Sequence, residues 1–362
     1  MKIKDVQVGE IQIPLKKPFK TALREVRILE NVVVKITTDT GHVGYGEAAI
    51  TPVITGDIMG SIKWAILEYI SPRLIDRSVD DFEGLMDTLH NSLVNNTSPK
   101  AAVDMALYDL YGQLYNIPLY KLLGGYRDQI TTDITISVNE PEEMVEDSIK
   151  AVEKGYKTLK IKVGKDWKKD LERIKSIRGA VGYDIRIRVD ANQGWTSKEA
   201  VMVIRKMEDL GLELELVEQP VKAHDIDGLK FVTQNVITPI LADESCFSPL
   251  DAIYIIQNRA ADMVNIKLMK TGGIYNALKI CHIAETFGVE CMLGCMLESK
   301  IGLTAASHLA GGKKVISKLD LDSPNLLAED PISGGAEYNE YKISLPDKPG
   351  LGFNNIENVI YD

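Results

Sequence analysis

Seven apolar stretches of strand length recur along the second half of the chain, and each ends in a charged residue: Lys160/Lys162, Asp190, Glu218, Asp243, Lys267, Glu298 and Asp320/Asp322. Counted from Lys160, the first intervals are 30, 28, 25 and 24 residues. One strand, one helix and two turns take up that length, so the interval is that of the βα unit of a parallel barrel. The strand ends of such a barrel converge on one mouth, which brings distant residues into one small volume. Lysine, acid, acid, acid, lysine around that mouth is the pattern of a metal site between two bases. The chain reads as an enzyme.

Residues 1–125 do not keep this rhythm. Met1–Pro14, Asn31–Thr38 and His42–Ala48 alternate in polarity as an antiparallel meander, with Asp39-Thr40-Gly41 as a turn. Helical patterns follow at Ser61–Leu74, Asp81–Leu93 and Ser98–Leu114, the last with Ser98 as N-cap and Pro99 at the first helical position. Gly124-Gly125 then breaks the chain. Barrel strands are expected at Thr131–Ser137, Thr158–Val163, Ile185–Asp190, Glu213–Glu218, Thr238–Ala242, Met263–Lys267, Glu290–Gly294 and Ile316–Asp320, with amphipathic helices between them. From Tyr341 the chain returns to hairpin-like text. The expected division is a capping domain at 1–125, a catalytic barrel at 126–324, and a carboxy-terminal return at 325–362 that packs on the cap.

A formal charge of -10 without a compensating basic cluster opposes polyphosphate surfaces, so nucleic acid is not an expected partner. No apolar run approaches a membrane span, and Met1–Glu10 reads as a mixed-charge strand, so a cytoplasmic protein without membrane contact is expected. Cys246, Cys281, Cys291 and Cys295 form no CxxC; Cys291 and Cys295 fall on one face of a strand, and reduced, mostly buried thiols are expected. The histidines are scattered, and each reads as structural or surface rather than as a zinc ligand.

In Thr158–Gly164 side chains alternate faces, so Lys160 and Lys162 point one way and Leu159, Ile161 and Val163 the other. Alone, the pair reads as the solvated face of an edge strand. In a barrel jacketed by apolar helices it lies inside, where each lysine depresses the other's pKa, as a lysine base requires. Asp190, Glu218 and Asp243 each follow apolar strand text and precede a turn. Singly each could be a helix N-cap. Three converging carboxylates need a cation, and an oxygen-only set selects a hard octahedral ion: Mg²⁺, with Mn²⁺ able to substitute. Lys267 ends the sixth strand, across an eight-stranded barrel from the second, so Lys162 and Lys267 would face each other over the metal. Two bases on opposite sides of one carbon invert a stereocentre. Lys270 reads as a surface lysine.

The KxK at Lys160–Lys162, the DANQGW from Asp190, the EQP from Glu218, the ADES around Asp243 and the NIKLMKTGG around Lys267 together resemble the enolase superfamily in its muconate-lactonizing-enzyme subgroup. The likeness covers nearly the whole chain. It implies an α/β fold: a modified (β/α)7β TIM-type barrel with an α+β capping domain formed by the amino-terminal region and the carboxy-terminal tail. It also implies Mg²⁺ on Asp190, Glu218 and Asp243, and proton abstraction beside a substrate carboxylate through an enediolate. Lys162 and Lys267 match the acid/base pair. Lys160 matches a lysine that assists carboxylate binding and lowers its neighbour's pKa. Family members often form symmetric homo-oligomers.

Lys318-Leu319-Asp320-Leu321-Asp322 places two same-face acids at the eighth strand end, suited to a substrate ammonium. The motif is similar to that of the subgroup's dipeptide epimerases, in which it holds the amino terminus of an L-Xaa-L/D-Xaa dipeptide while the carboxy-terminal residue is inverted. As a turn or cap, Asp322-Ser323-Pro324 has a simpler reading. Lid loops near 16–27 and 50–58 are expected to choose the side chain. Arg24 matches an arginine that meets a substrate glutamate, Ile54 is a packing contact, and Glu298 is a specificity or supporting residue at the mouth. L-Ala-D/L-Glu is the expected substrate. Hydrophobic or cationic dipeptides, an N-acylamino acid racemase and an o-succinylbenzoate synthase are the alternatives.

Overall fold

In a computed structural model of the chain, residues 1–20, 25–164, 166–354, 356 and 359–361 are described. Strands β1 (Ile3–Lys20), β2 (Glu25–Thr38) and β3 (Val43–Ala49) form the expected antiparallel meander. The first strand runs past Pro14 to Lys20, and its register breaks between Pro14 and Phe19. Pro14 and Pro18 have no N–H to donate to the ladder, so a break belongs there. Strand β3 presents Gly44 and Gly46 to the helix Thr97–Leu114. A Cβ on Gly46 would lie 1.9 Å from the Ala102 carbonyl oxygen and one on Gly44 2.2 Å from that of Ala106, so only glycine lets helix and strand approach this closely.

The helix Thr97–Leu114 is buried over most of its length. It does not begin as predicted. Asn96, at φ 49, precedes it, and asparagine tolerates that left-handed backbone. The Ser98 N–H is satisfied from elsewhere, donating to Asp57 Oδ2 at 3.1 Å. Thus a carboxylate at the end of the 50–58 loop caps the helix.

A 3-residue strand, β4 (Gln129–Thr131), precedes the barrel strands. These are β5 (Ile134–Ile136), β6 (Thr158–Lys162), β7 (Arg186–Asp190), β8 (Leu214–Glu218), β9 (Ile240–Ala242), β10 (Met263–Ile266), β11 (Cys291–Gly294) and β12 (Ile316–Asp320). They form one parallel 8-stranded sheet in chain order, nearly closed as a barrel. Every residue of β6 is buried, as a strand covered on both faces requires.

The predicted strand Thr131–Ser137 divides in two. Its first residue belongs to β4, which leaves the barrel and pairs with the carboxy-terminal hairpin β13 (Glu337–Asn339) and β14 (Lys342–Ser344). Thr132 and Asp133 interrupt it because both bind across the barrel. The Thr132 hydroxyl accepts from Leu321 N–H at 2.8 Å, and Asp133 pairs with the buried Arg188 at 2.7 Å. Thr135 N–H also donates to Asp322 Oδ2 at 2.6 Å, so side chains stitch the seam between β5 and β12. The chain ends with β15 (Ile360–Tyr361), which adds to β1 at Gly9. Among the described residues no helix is long and apolar enough to cross a membrane.

His308, on the buried helix Lys300–Gly312, accepts at Nδ1 from Tyr120 N–H at 2.9 Å, which requires the neutral imidazole. Burial lowers its pKa from 6.5 to about 3. Between those values the folded state binds fewer protons than the unfolded one. The stability held above pH 6.5 is therefore lost as pH falls toward about 3. Urea unfolding of His308→Gln from pH 7 to 4 is expected to show a shallower pH slope than wild type, by up to ~1.4 kcal/mol per pH unit. Equal slopes would remove the imidazole as the source.

Candidate active site

Adjacent-strand register sets the site. Lys162 is the Cα partner of Asp190, Asp190 of Glu218, and Glu218 of Leu241, two residues before Asp243. The three acids therefore stand side by side on β7, β8 and the end of β9. Lys160 and Lys162 enter from β6 on one flank, and Lys267 from the end of β10 on the other. Lys160, Lys162, Lys267, Asp320 and Asp322 line one cavity of about 60 Å³, together with Phe19, Val53 and Ile54 from the amino-terminal region. A larger cavity of about 520 Å³ lies beside it, between Leu15–Lys20 and the helix Pro141–Glu153, and shares Phe19, Thr135 and Leu326 with it. The charged groups converge on the smaller one.

Each acid is held on both oxygens. Asp190 Oδ1 accepts from Asn192 N–H at 2.9 Å, while Oδ2 meets Lys162 at 2.6 Å and Lys160 at 3.1 Å. Glu218 Oε1 accepts from Asn265 Nδ2 at 2.8 Å, and Oε2 lies 2.7 Å from Lys160 Nζ. Asp243 meets Lys267 at 2.7 Å and Lys270 at 2.6 Å. The turns after the first two acids use left-handed backbone at Asn192 (φ 42), Gln193 (φ 66) and Gln219 (φ 37). Such strained conformations concentrate at functional sites.

The electrostatics follow from this packing. Burial works to raise the Asp190 pKa, but Lys162 and Lys160 bring it down to about 2. Burial likewise opposes ionisation of Asp243, and Lys267 and Lys270 hold it below the usual range. Glu218 is pushed up to about 8 by burial and by the Asp190 charge. The neighbouring Glu244 rises to about 7, through burial and Asp243.

The expected depression of the Lys160 pKa is reversed. Burial does lower it, but Asp320, Glu218 and Asp190 outweigh burial. The Lys267 pKa is raised in the same way by Asp243. Lys270 is not on the surface: it is fully buried, its ammonium donating to Asp243 Oδ1, the Asp243 carbonyl and the Asn265 carbonyl.

Among the described residues no group of three Asp, Glu, His or Cys side chains stands disposed to hold a metal ion, because lysine ammoniums reach between the carboxylates. The donor set nevertheless fits a hard cation. It is oxygen-only, buried and carried on three neighbouring strands. The Lys160 ammonium already bridges Asp190 Oδ2 and Glu218 Oε2 at 3.1 and 2.7 Å, so these oxygens can flank one positive centre.

Asp320 lies 2.7 Å from Lys160, and Asp322 uses one oxygen on Thr135 N–H. Burial opposes ionisation of Asp320, but Lys160 and Lys162 lower its pKa, whereas burial and Asp320 raise Asp322 to about 6. Ile54 lines the cavity, and so does Cys295, which lies beyond the end of β11 rather than within that strand. Glu298 does not line it. Its carboxyl accepts from Met296 N–H at 2.8 Å and is pushed up to about 8 by burial and by Glu47. Arg24 lies outside the described residues. Sequence reasoning missed Lys270, Asn192 and Asn265. Lys270 and Asn265 flank Lys267 in one short motif, which was the available signal.

A parallel barrel with three acids on adjacent strands, bracketed by lysines on the flanking strands, is the frame of an acid–base enzyme. Residues 3–124 match the mandelate racemase / muconate lactonizing enzyme N-terminal domain, and residues 143–358 match the enolase C-terminal domain-like family. The chain belongs to the enolase superfamily, in its mandelate racemase / muconate lactonizing enzyme group, and is an isomerase. It is 58% identical over 358 residues to an L-Ala-D/L-Glu epimerase of Clostridium acetobutylicum, covering 99% of this chain and 100% of that one. A substrate-liganded L-Ala-D/L-Glu epimerase from Bacillus subtilis superposes with a TM-score of 0.97 at 52% identity, covering 98% and 99% of the two chains. A dipeptide epimerase from Enterococcus faecalis V583, complexed with Mg and L-Leu-L-Tyr, superposes at 0.95 with 43% identity, covering 98% and 100%.

Proposed function

We propose that this chain is a Mg²⁺-dependent dipeptide epimerase that inverts the α-carbon of the carboxy-terminal residue of L-Xaa-L/D-Xaa dipeptides, with L-Ala-D/L-Glu as substrate. The observation that carries the reading is the charge order along the barrel strands: Lys160 and Lys162, then Asp190, Glu218 and Asp243, then Lys267, with the three lysines, Asp320 and Asp322 lining one cavity. Asp190, Glu218 and Asp243 would hold the ion, with Mn²⁺ able to substitute. When bound, the ion supplies positive charge to the substrate carboxylate and makes the adjacent α-proton more acidic.

Lys162 and Lys267 approach from opposite flanks, so one takes the α-proton while the other returns one to the opposite face. Against burial, Asp243 raises the Lys267 pKa, and a divalent ion held by Asp243 would weaken that effect. The Lys160 ammonium offsets charge developing on the substrate carboxylate. Asp320 and Asp322 hold the substrate ammonium. In the same reading residues 1–125 and 325–362 form a cap over the barrel 126–324, and Ile54 packs on the substrate side chain. Greater identity to the Clostridium and Bacillus Ala-Glu epimerases, 58% and 52%, than to the Enterococcus enzyme, 44%, supports Ala-Glu specificity.

The test is a competition among L-Ala-L-Glu, L-Ala-L-Leu, L-Ala-L-Lys and N-succinyl-L-lysine with Mg²⁺, followed by chiral chromatography. L-Ala-L-Glu is expected to lead in kcat/KM by tenfold or more. Turnover of the succinyl compound with all dipeptides silent would contradict the reading and favour N-acylamino acid racemisation.

A further inference from the structure

We propose that Asn31 and Glu47 act as a positioning pair that locks the 50–58 loop and the 295–299 segment, whose first three residues line the cavity, into one unit, and so set substrate selection without touching substrate. The inference rests on the dipeptide reading above for its substrate, though not for its mechanics.

Alternation along β3 turns Gly44 and Gly46 to the helix Thr97–Leu114, so Glu47 faces the other way, toward the start of the helix Lys300–Gly312. Glu47 is fully buried. Its Oε1 accepts from Asn31 Nδ2 at 2.7 Å and Ser299 N–H at 2.9 Å; its Oε2 accepts from the Ser299 hydroxyl at 2.7 Å and Gly302 N–H at 2.8 Å. Asn31 works in both directions. Its Nδ2 also donates to the Leu297 carbonyl at 2.9 Å, and its Oδ1 accepts from Ile50 N–H at 3.2 Å, where the 50–58 loop begins.

The chain of contacts continues to the substrate side. The Ser323 hydroxyl accepts from Glu298 N–H at 3.0 Å and donates to the Glu298 carbonyl at 2.6 Å, next to Asp322. Val53, Ile54, Met296, Leu297 and Ser323 line the cavity, whereas Asn31 and Glu47 do not. A four-donor carboxylate at this junction exceeds what capping one helix requires. Its extra bond, to Asn31, is the one that reaches the loop.

Asn31→Ala tests this, with Asn31→Ser as the milder replacement should the alanine variant fold poorly. Amide hydrogen exchange on the substrate-free protein is expected to rise together at 50–56 and 296–299, with β6–β8 unchanged. For L-Ala-L-Glu, KM is expected to rise about tenfold with kcat within threefold, and the preference over L-Ala-L-Leu to narrow. Glu47→Gln, which puts an amide NH₂ against donor groups, should reproduce the pattern. Exchange that rises in one segment alone, in neither, or uniformly across the barrel would overturn the proposal. If the wild-type protein turns over no dipeptide, the substrate reading falls while the exchange data still decide the coupling.

Discussion

Lys162→Ala is expected to cut interconversion of L-Ala-L-Glu and L-Ala-D-Glu by about 10²- to 10⁴-fold, while α-proton exchange persists for one epimer only. Lys267→Ala should lose interconversion equally and keep exchange for the other epimer. The complementarity follows from the strand order. Lys162 and Lys267 flank the three acid-bearing strands, so each addresses one face of a carbon held between them. With a single base, the variant lacking it would lose exchange with both epimers and the other variant would keep both. Following the α-proton signal of each diastereomer separately in D₂O distinguishes the cases, and a variant that exchanges both epimers at the wild-type rate would remove its lysine from the chemistry.

The second large effect is expected at the aspartate pair. Asp320→Asn and Asp322→Asn should each raise the KM for dipeptides by about 10- to 100-fold, the loss of one charge-assisted bond to an ammonium of ~1.5–3 kcal/mol. Metal affinity measured by calorimetry should be unchanged, because neither residue belongs to the acid trio on β7–β9. An asparagine at 322 can still accept from Thr135 N–H, so the seam between β5 and β12 is preserved. At 320 the change also releases Lys160 from its 2.7 Å partner, so the larger effect belongs there. Wild-type KM values in both variants would end the ammonium role.

Much of this was legible in the sequence because the signals were local. Each acid follows a buried strand and precedes a turn, and intervals of one βα unit suffice to align Asp190, Glu218 and Asp243 at one barrel level. What escaped depends on distant partners. Lys270 has the text of a surface lysine, and only the carbonyls of Asp243 and Asn265 closing around it make it a buried donor. The strand predicted at Thr131–Ser137 splits because Thr132 binds Leu321, 189 residues away, and Asp133 binds Arg188. Ser98 failed as a cap because Asp57, 41 residues earlier, supplies the acceptor. Glu47 gave no signal at all: it is one charge in a glycine-rich strand, and Ser299 lies 252 residues on.

The most direct test of the central claim is proton NMR of L-Ala-L-Glu incubated with the protein and Mg²⁺ in D₂O, with an EDTA-treated sample beside it. A two-base epimerase predicts loss of the glutamate α-proton signal, deuterated L-Ala-D-Glu appearing in step, the alanine α-proton retained, and nothing in the chelated sample. Full retention of the glutamate α-proton with Mg²⁺ present, or equal exchange after chelation, would contradict metal-dependent proton transfer at that carbon.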